Sequence, residues 1–123
     1  MVIRNWRDEI PVVGHNAKLI WSLFRGKGTP GLTYEQAPME GLTGLTLHRL
    51  QGNMVGDDHD HEDQEQIYYF LRGRGKMKID GQVYPVREGD AVHIPPRTMH
   101  QIINDTEDWI EHLIISATVP RQG

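Results

Sequence analysis

Two histidines two positions apart, His59 and His61, stand in the polar stretch DDHDHEDQEQIYYF, residues 57–70. Side chains of an extended chain alternate between its two faces, so both imidazoles can point to the same side. A third ligand from a neighbouring strand would complete a metal site, and imidazole suits zinc, copper, iron and nickel. Without its surroundings, the pair fits a solvated polar loop as well as a metal site.

The elements around this stretch are short, apolar and separated by turn residues. Residues 18–24 and 44–50 predict two strands before the histidines. Later strands are predicted in the segments IYYFL, KMKI, VYPV, AVHI, HQIIN and WIEHLIISA. KMKI and VYPV can pair as a hairpin across the two-residue turn Asp80-Gly81. Thirteen glycines, seven prolines and regularly spaced short strands favour an all-β sandwich or barrel.

The length of 123 residues suits a single domain, 1–123. We expect residues 41–118 to form the β-barrel and residues 1–40 to form an N-terminal arm with strands. Packing of this arm on a partner subunit would explain its scattered apolar residues and predicts a homodimer. We interpret the basic cluster RGRGK, residues 72–76, as a solvated turn.

Composition excludes several partners and chemistries. The formal net charge of −4 gives no electrostatic reason to bind nucleic acid or an anionic membrane. The absence of cysteine excludes disulfides, thiolate metal ligands and a cysteine nucleophile. The N-terminus MVIRNWRDEI lacks the apolar core of a signal peptide, and no apolar run approaches the roughly 20 residues of a membrane span. We therefore expect a cytoplasmic protein.

The spacing around the two histidines resembles the first motif of the cupin family. That motif runs glycine, five residues, His-x-His, three or four residues, glutamate, six residues, glycine. The residues at matching places are His59, His61, Gln66 and Gly73. Asn53 occupies the nominal place of the leading glycine, with Gly52 and Gly56 nearby.

A second stretch resembles the second cupin motif. That motif runs glycine, five residues, Pro-x-Gly, two residues, histidine, three residues, asparagine. The residues at matching places are Gly89, Pro95, His100 and Asn104. Arg97 replaces the middle glycine, so the turn there either avoids positive φ or tolerates it with strain. Its side chain either faces solvent or reaches over the mouth of the barrel.

The resemblance implies a double-stranded β-helix, or jelly roll, that holds a divalent zinc, nickel, manganese or iron ion. The implied metal ligands are His59, His61, Gln66 and His100. Because the motif tolerates three or four intervening residues, Glu65 is a rival of Gln66. The count of six residues before Gly73 favours Gln66, which strand parity puts on one face with Tyr68 and Phe70.

Glutamine at position 66 changes the expected chemistry. Three imidazoles and an amide leave a divalent ion its full charge, which makes it a stronger Lewis acid. The leading hypothesis is therefore a metal-dependent isomerase or lyase acting on a small oxygen-rich substrate, such as a sugar acid or a keto or enol compound. The first motif is also locally similar to that of cupins that linearise unsaturated uronates. The alternatives are a mononuclear iron-dependent dioxygenase and a non-catalytic ligand-binding or sensor cupin.

Several further residues are expected around such a pocket. Tyr68 is the preferred proton donor, and His112, a polar residue within an apolar run, is either a second catalytic group or a core residue. Ile102 and Asn104 share the face of His100 and are expected to line the pocket. One of His48 and Arg49 should point inward, and the sequence leaves open which. His15 and the acidic residues 57, 58, 60, 62 and 63 are interpreted as solvated loop.

Overall fold

The computed structural model describes residues 1–120, so residues 121–123 of the predicted domain lie outside the described residues. A short 3-10 helix, Trp6–Asp8, precedes the strands. The strands of the described chain are β1 Val12–Gly14, β2 Lys18–Arg25, β3 Leu42–Leu50, β4 Gln64–Arg72, β5 Arg74–Ile79, β6 Gln82–Arg87, β7 Ala91–Ile94, β8 His100–Ile103 and β9 Ile110–Thr118. No helix in this part of the chain is long and apolar enough to cross a membrane.

The strands form two antiparallel sheets, which confirms the predicted all-β jelly roll. The larger sheet has the order β1-β2-β3-β9-β4-β7, and the smaller sheet has the order β6-β5-β8. The last strand, β9, lies between β3 and β4 and pairs with both. Neighbours that are distant in sequence are typical of jelly-roll topology, in which the chain crosses between sheets.

Turn geometry sets the register of the smaller sheet. Asp80 and Gly81 both have positive φ, 47° and 83°, which is the backbone that a two-residue hairpin turn of this kind requires. Ile79 therefore pairs with Gln82, as the hairpin prediction expects. Gly89, with a φ of 91°, lies in the predicted turn before β7.

The interpretation of residues 72–76 as a solvated turn is wrong. Only Gly73 separates β4 from β5, and its φ of 87° suits the sharp change of direction. Gly75 lies buried within β5. A Cβ atom at Gly75 would lie 2.4 Å from the carbonyl oxygen of Ile103 and 2.6 Å from a methyl group of Ile110. The second glycine of the cluster therefore permits close packing of strands.

The apolar core lies between the two sheets. Tyr68 and Phe70 alternate with exposed residues along β4, so they face inward. They belong to one buried cluster with Met77 of β5, Ile102 of β8 and Ile110 of β9. Burial of each large apolar side chain stabilises the fold by roughly 1.5–3 kcal/mol.

The N-terminal residues pack partly on their own chain. The ring of Trp6 meets the ring of Trp21 edge to face, with the centroids 5.2 Å apart. Strand β1 forms the edge of the larger sheet next to β2. Ile10 and Val13 nevertheless remain 92% and 73% exposed. An edge strand with exposed apolar residues is open to pairing with another chain, and the homodimer stays a prediction.

Gly75→Ala should lower the free energy of unfolding by about 1–3 kcal/mol, because the added methyl group overlaps backbone and side-chain atoms of a packed interface. Urea unfolding followed by circular dichroism measures the change. Gly41→Ala is the matched control, since nothing lies within 4 Å of a methyl group there. Equal unfolding midpoints for the two variants would contradict close packing of β5 against its neighbours.

Candidate metal centre

A pair of backbone hydrogen bonds joins the two segments that carry the histidines. The His59 N–H donates to the His100 carbonyl oxygen at 3.1 Å, and the His100 N–H donates to the His59 carbonyl oxygen at 2.8 Å. The Arg97 N–H donates to the His61 carbonyl oxygen at 2.7 Å. The spacing of His59 and His61 had suggested a strand, but neither residue lies on a regular strand. His59 forms a single isolated bridge with His100.

The lone pairs of three imidazoles converge at this junction. Nδ1 of His59 donates to the Asp57 carbonyl oxygen at 3.1 Å, and Nδ1 of His100 donates to the Thr98 carbonyl oxygen at 2.9 Å. These bonds place the proton on Nδ1 and leave Nε2 as the acceptor. Nε2 of His61 and of His100 is buried without a partner. The ligand atoms of the three histidines lie within 4.8 Å of one another, which fits one metal ion.

Gln66 lies on the inner face of β4, and its neighbour Glu65 lies on the outer face. Gln66 Nε2 donates to the Ser116 hydroxyl oxygen at 3.2 Å, which leaves Gln66 Oε1 buried and without a donor. The Glu65 carboxylate instead lies 2.9 Å from Nε2 of His93. Of the two rivals, Gln66 lines the cavity beside the histidines and Glu65 does not.

Two positions that hold glycine in the cupin motifs keep positive φ in this chain. Asn53 has a φ of 59° and Arg97 a φ of 57°. Asparagine enters this region readily, whereas arginine there costs about 1–2 kcal/mol. Arg97 Nη1 donates to the Glu62 carbonyl oxygen at 3.0 Å, so the side chain reaches the loop that carries His61. The strained residue therefore helps to hold that loop.

A cavity of about 190 Å³ opens beside the histidines. Its polar walls include His15, Arg25, His48, His59, His61, Gln66, Tyr68 and Ser116. A larger cavity of about 500 Å³ lies elsewhere, against β5 and β6, and has basic and acidic side chains but no imidazole in its walls. The chemistry-bearing residues therefore define the smaller cavity as the candidate site.

Tyr68 forms part of the wall of this cavity. Its side chain is almost fully buried, and its ring meets His100 edge to face at 5.8 Å between centroids. Burial raises the pKa of the Tyr68 phenol well above its usual range. The phenol therefore stays protonated at neutral pH and can act as a hydrogen-bond or proton donor.

His112 lies behind this wall rather than on it, which corrects its assignment as a candidate catalytic residue. Its ring is fully buried and stacks on the rings of Tyr68 and His48, at 4.9 and 5.1 Å between centroids. Burial holds the pKa of His112 well below its usual range. A neutral ring with no surface on the cavity does not touch a substrate.

His48 points inward and Arg49 points outward, which answers the question that the sequence left open. His48 Nε2 lies 2.9 Å from the Thr46 hydroxyl oxygen on the cavity wall. Burial lowers the pKa of His48 to about 2. Arg49 pairs with Glu111 at 3.4 Å and lies over the ring of Trp109.

His15 and Asp57 are more than solvated loop residues. The His15 ring stacks on His59 at 4.8 Å, and its Nδ1 lies 2.9 Å from the Asp57 carboxylate. The same carboxylate lies 3.6 Å from Nδ1 of His59. Since the Nδ1 proton of His59 is directed to a backbone carbonyl, His15 and Asp57 support the orientation of His59 from outside the ligand set. No local sequence pattern indicates this contact.

Lys18 is a second residue that the sequence did not single out. Its side chain is 1% exposed, and its amino group lies 5.2 Å from the centre of the Tyr68 ring. Burial lowers the pKa of Lys18 to about 7. The amino group is therefore only partly protonated at neutral pH, and its protonated form makes the potential at the site more positive.

Asn104 and Ile102 do not line the cavity, contrary to expectation. The Asn104 amide donates to the carbonyl oxygens of Leu50, Gln51 and Asp108 and accepts from Thr106. It therefore joins the connections that follow β3 and β8. Ile102 belongs to the apolar core. Both side chains are buried, as expected from the face that they share with His100, but both lie away from the cavity.

A jelly roll that presents three imidazoles and an amide from two spaced motifs defines a protein of the cupin class. The comparison with known families agrees, because the model of the cupin domain matches residues 46–115. The chain belongs to the cupin family.

Individual relatives show how far this similarity extends. A quercetin 2,3-dioxygenase of Bacillus subtilis is 34% identical over 77 residues, covering 48% of this chain and 23% of the relative. An uncharacterized protein of Methanocaldococcus jannaschii is 48% identical over 46 residues, 37% of each chain. The chain thus spans well under two thirds of these curated relatives.

A solved structure of similar size supports the fold. The crystal structure of a predicted oxalate decarboxylase from Thermotoga maritima superposes with a TM-score of 0.79, covering 95% of this chain and 99% of that one. The sequence identity is 20%, so the likeness concerns the fold alone.

Gln66→Ala should weaken metal binding more than Glu65→Ala does, because only Gln66 faces the histidines. Removal of a residue that only supports a metal ligand lowers metal affinity by roughly 10- to 100-fold. We expect the metal affinity of Gln66→Ala to fall by at least this factor. Competition with a chelator, read out by elemental analysis, measures the affinity. An emptied site in Glu65→Ala beside an unchanged one in Gln66→Ala would reverse the assignment.

His112→Phe should make the metal-free protein less sensitive to acid. The pKa of His112 is lower in the folded chain than in the unfolded chain, so the unfolded state binds more protons and stability falls as the pH drops below about 6.5. Removing this group should reduce the slope of unfolding free energy against pH by about 1.4 kcal/mol per pH unit.

Urea unfolding in the presence of a chelator, at several pH values from about 6.5 downward, measures that slope. His93→Asn is the control, because His93 is exposed. An unchanged slope in His112→Phe would mean that the buried ring accepts a proton in the folded protein.

Proposed function

We propose that this chain is a metal-dependent enzyme of the Lewis-acid type, an isomerase or a lyase. Its substrate would be a small oxygen-rich molecule such as a sugar acid or a keto or enol compound. One observation carries the proposal: His61 Nε2, Gln66 Oε1 and His100 Nε2 are all buried polar atoms without a hydrogen-bond partner. A buried polar atom without a partner costs roughly 1–3 kcal/mol, and one divalent cation would satisfy all three.

The donor set fits a divalent zinc, nickel, manganese or iron ion held by His59, His61, Gln66 and His100. When bound, such an ion would polarise a substrate carbonyl group. None of the four donors is anionic, so the ligands leave the charge of the ion uncompensated. This supports Lewis-acid chemistry over a change of oxidation state, because a more highly charged ion prefers anionic ligands.

The cavity wall supplies a donor and an acceptor for the substrate. Tyr68 would hold a proton at its phenol oxygen, since burial raises the pKa of that group. Nδ1 of His48 is buried without a partner. Burial lowers the pKa of His48 to about 2, so the ring stays neutral. The tautomer in which Nε2 donates to the Thr46 hydroxyl oxygen would leave Nδ1 to accept from a substrate hydroxyl group.

The similarity to the quercetin 2,3-dioxygenase supports a second candidate, an iron-dependent dioxygenase. A third candidate is a cupin that binds a small ligand without converting it. The three differ in one requirement that can be measured. Lewis-acid chemistry proceeds without oxygen, dioxygenation consumes oxygen, and simple binding changes neither the ligand nor its exchangeable protons.

Metal-reconstituted protein in deuterated water without oxygen should exchange the protons next to the carbonyl group of a keto acid or uronate in a test panel. Proton NMR measures the exchange. His100→Ala should abolish it together with metal binding. Tyr68→Phe should retain the metal and slow the exchange by about 100-fold, the lower end of what a general acid contributes.

Other outcomes would favour the rival candidates. Conversion that requires oxygen, with oxygen uptake, would establish the dioxygenase. Saturable binding of panel members without exchange would establish the non-catalytic protein. Full exchange in Tyr68→Phe would remove Tyr68 from the mechanism while leaving the metal centre in place.

A further inference from the structure

The cavity beside the histidines is lined by positive and neutral groups. Among the described residues that form its walls, Arg25 is the only one with a permanently charged side chain, and no carboxylate contributes. Lys18 adds a buried amino group behind the wall, over the ring of Tyr68. Such a cavity attracts an anion, and a divalent ion at the histidines would strengthen the attraction.

Arg25 is fixed at both its backbone and its side chain. Its N–H donates to the Gln36 carbonyl oxygen at 2.8 Å, and its carbonyl oxygen accepts from the Met39 N–H at 3.3 Å. Its Nε donates to the Ser22 hydroxyl oxygen at 2.8 Å. Arg25 takes part in none of the ion pairs found within residues 1–120. The two terminal nitrogens therefore remain for a ligand.

The absence of a side chain at Gly44 leaves room for the guanidinium group. A Cβ atom there would lie 3.1 Å from Arg25 Nη1 and 3.8 Å from the Ser116 hydroxyl oxygen. Ser116 in turn accepts the hydrogen bond from Gln66. Arg25 and the candidate metal ligand Gln66 are thus separated by one small side chain, and a compact molecule can reach both.

We propose that Arg25 forms a carboxylate-binding subsite and that the ligand is a small organic acid. Its carboxylate would pair with the terminal nitrogens of Arg25, and its other oxygen atoms would face the histidines. The inference rests on the proposed function for the role of those oxygen atoms, but the subsite itself depends only on Arg25. A planar guanidinium group matches a carboxylate with two parallel hydrogen bonds.

The size of the cavity favours a carboxylate on a short carbon chain. At about 190 Å³ it is smaller than the roughly 300–1,000 Å³ of sites for larger ligands. A phosphate group offers the same hydrogen bonds to arginine, but it would fill more of this space and bring no carbonyl group. Inorganic phosphate is therefore the competing anion in the experiment.

Binding of malonate, of its neutral analogue malonamide and of inorganic phosphate to the metal-reconstituted protein should be measured by isothermal titration calorimetry. We expect malonate to bind more tightly than the other two. Arg25→Gln should weaken malonate binding by at least about 10-fold, the loss expected for one charged hydrogen-bonded contact, without changing malonamide binding. Arg72→Gln, which removes an exposed charge from the end of β4, should bind malonate like the unaltered protein.

Elemental analysis of the same samples separates this inference from the proposed function. The protein could contain no metal and still bind malonate in a way that depends on Arg25. This outcome would contradict the proposed function and support the subsite. The subsite is overturned if the unaltered protein binds no malonate, if Arg25→Gln binds malonate equally well, or if phosphate binds more tightly than malonate.

Discussion

The candidate metal centre depends on one short bridge, the two reciprocal backbone hydrogen bonds between His59 and His100. The His-x-His segment is not part of a regular strand, so this bridge, together with the bond from the Arg97 N–H to the His61 carbonyl oxygen, fixes its position relative to β8. The bridge also brings imidazoles together that would repel one another if protonated. Burial lowers the pKa of His100 to about 4, so the ring is neutral at physiological pH. A neutral His100 ring does not repel the neighbouring rings and keeps the lone pair of its Nε2 for an ion.

The electrostatics of the site come from parts of the chain that do not belong to the two motifs. Lys18 and Arg25 lie on β2, and His48 lies on β3, yet all three act on the same small volume. Lys18 and Arg25 both lower the pKa of His48 through their positive charge, after the larger effect of burial. An amide rather than a carboxylate at position 66 leaves this positive potential uncompensated. Burial opposes this charge, as the lowered pKa of Lys18 shows, so Arg25 is the permanent positive charge on the cavity wall within the described chain.

The sequence allowed the fold and the convergence of His59, His61 and His100 to be predicted because their signals are local. Gln66 as the fourth ligand stays a prediction. The Asp80-Gly81 turn determines the β5–β6 register, and two-residue alternation along β4 separates Gln66 from Glu65. His15 and Arg25 reach the cavity only because β2 pairs with β3, a contact that no spacing reveals. His112 stands out as a polar residue within an apolar run, a pattern that carries no information on depth and therefore leaves a core residue and a catalytic residue as alternatives.

Part of the cavity wall comes from outside the two motifs, which has a consequence for how ligand choice can change. His15, Arg25 and Gly44 precede the first motif in the sequence, whereas the candidate ligands lie from His59 onward. A substitution of Arg25 can therefore alter which molecules are accepted without removing a hydrogen bond of the residues that would hold the ion, whereas a substitution of His15 would remove the ring that stacks on His59. The choice of ligand can thus change through a residue of β2 while the four candidate ligands stay in place.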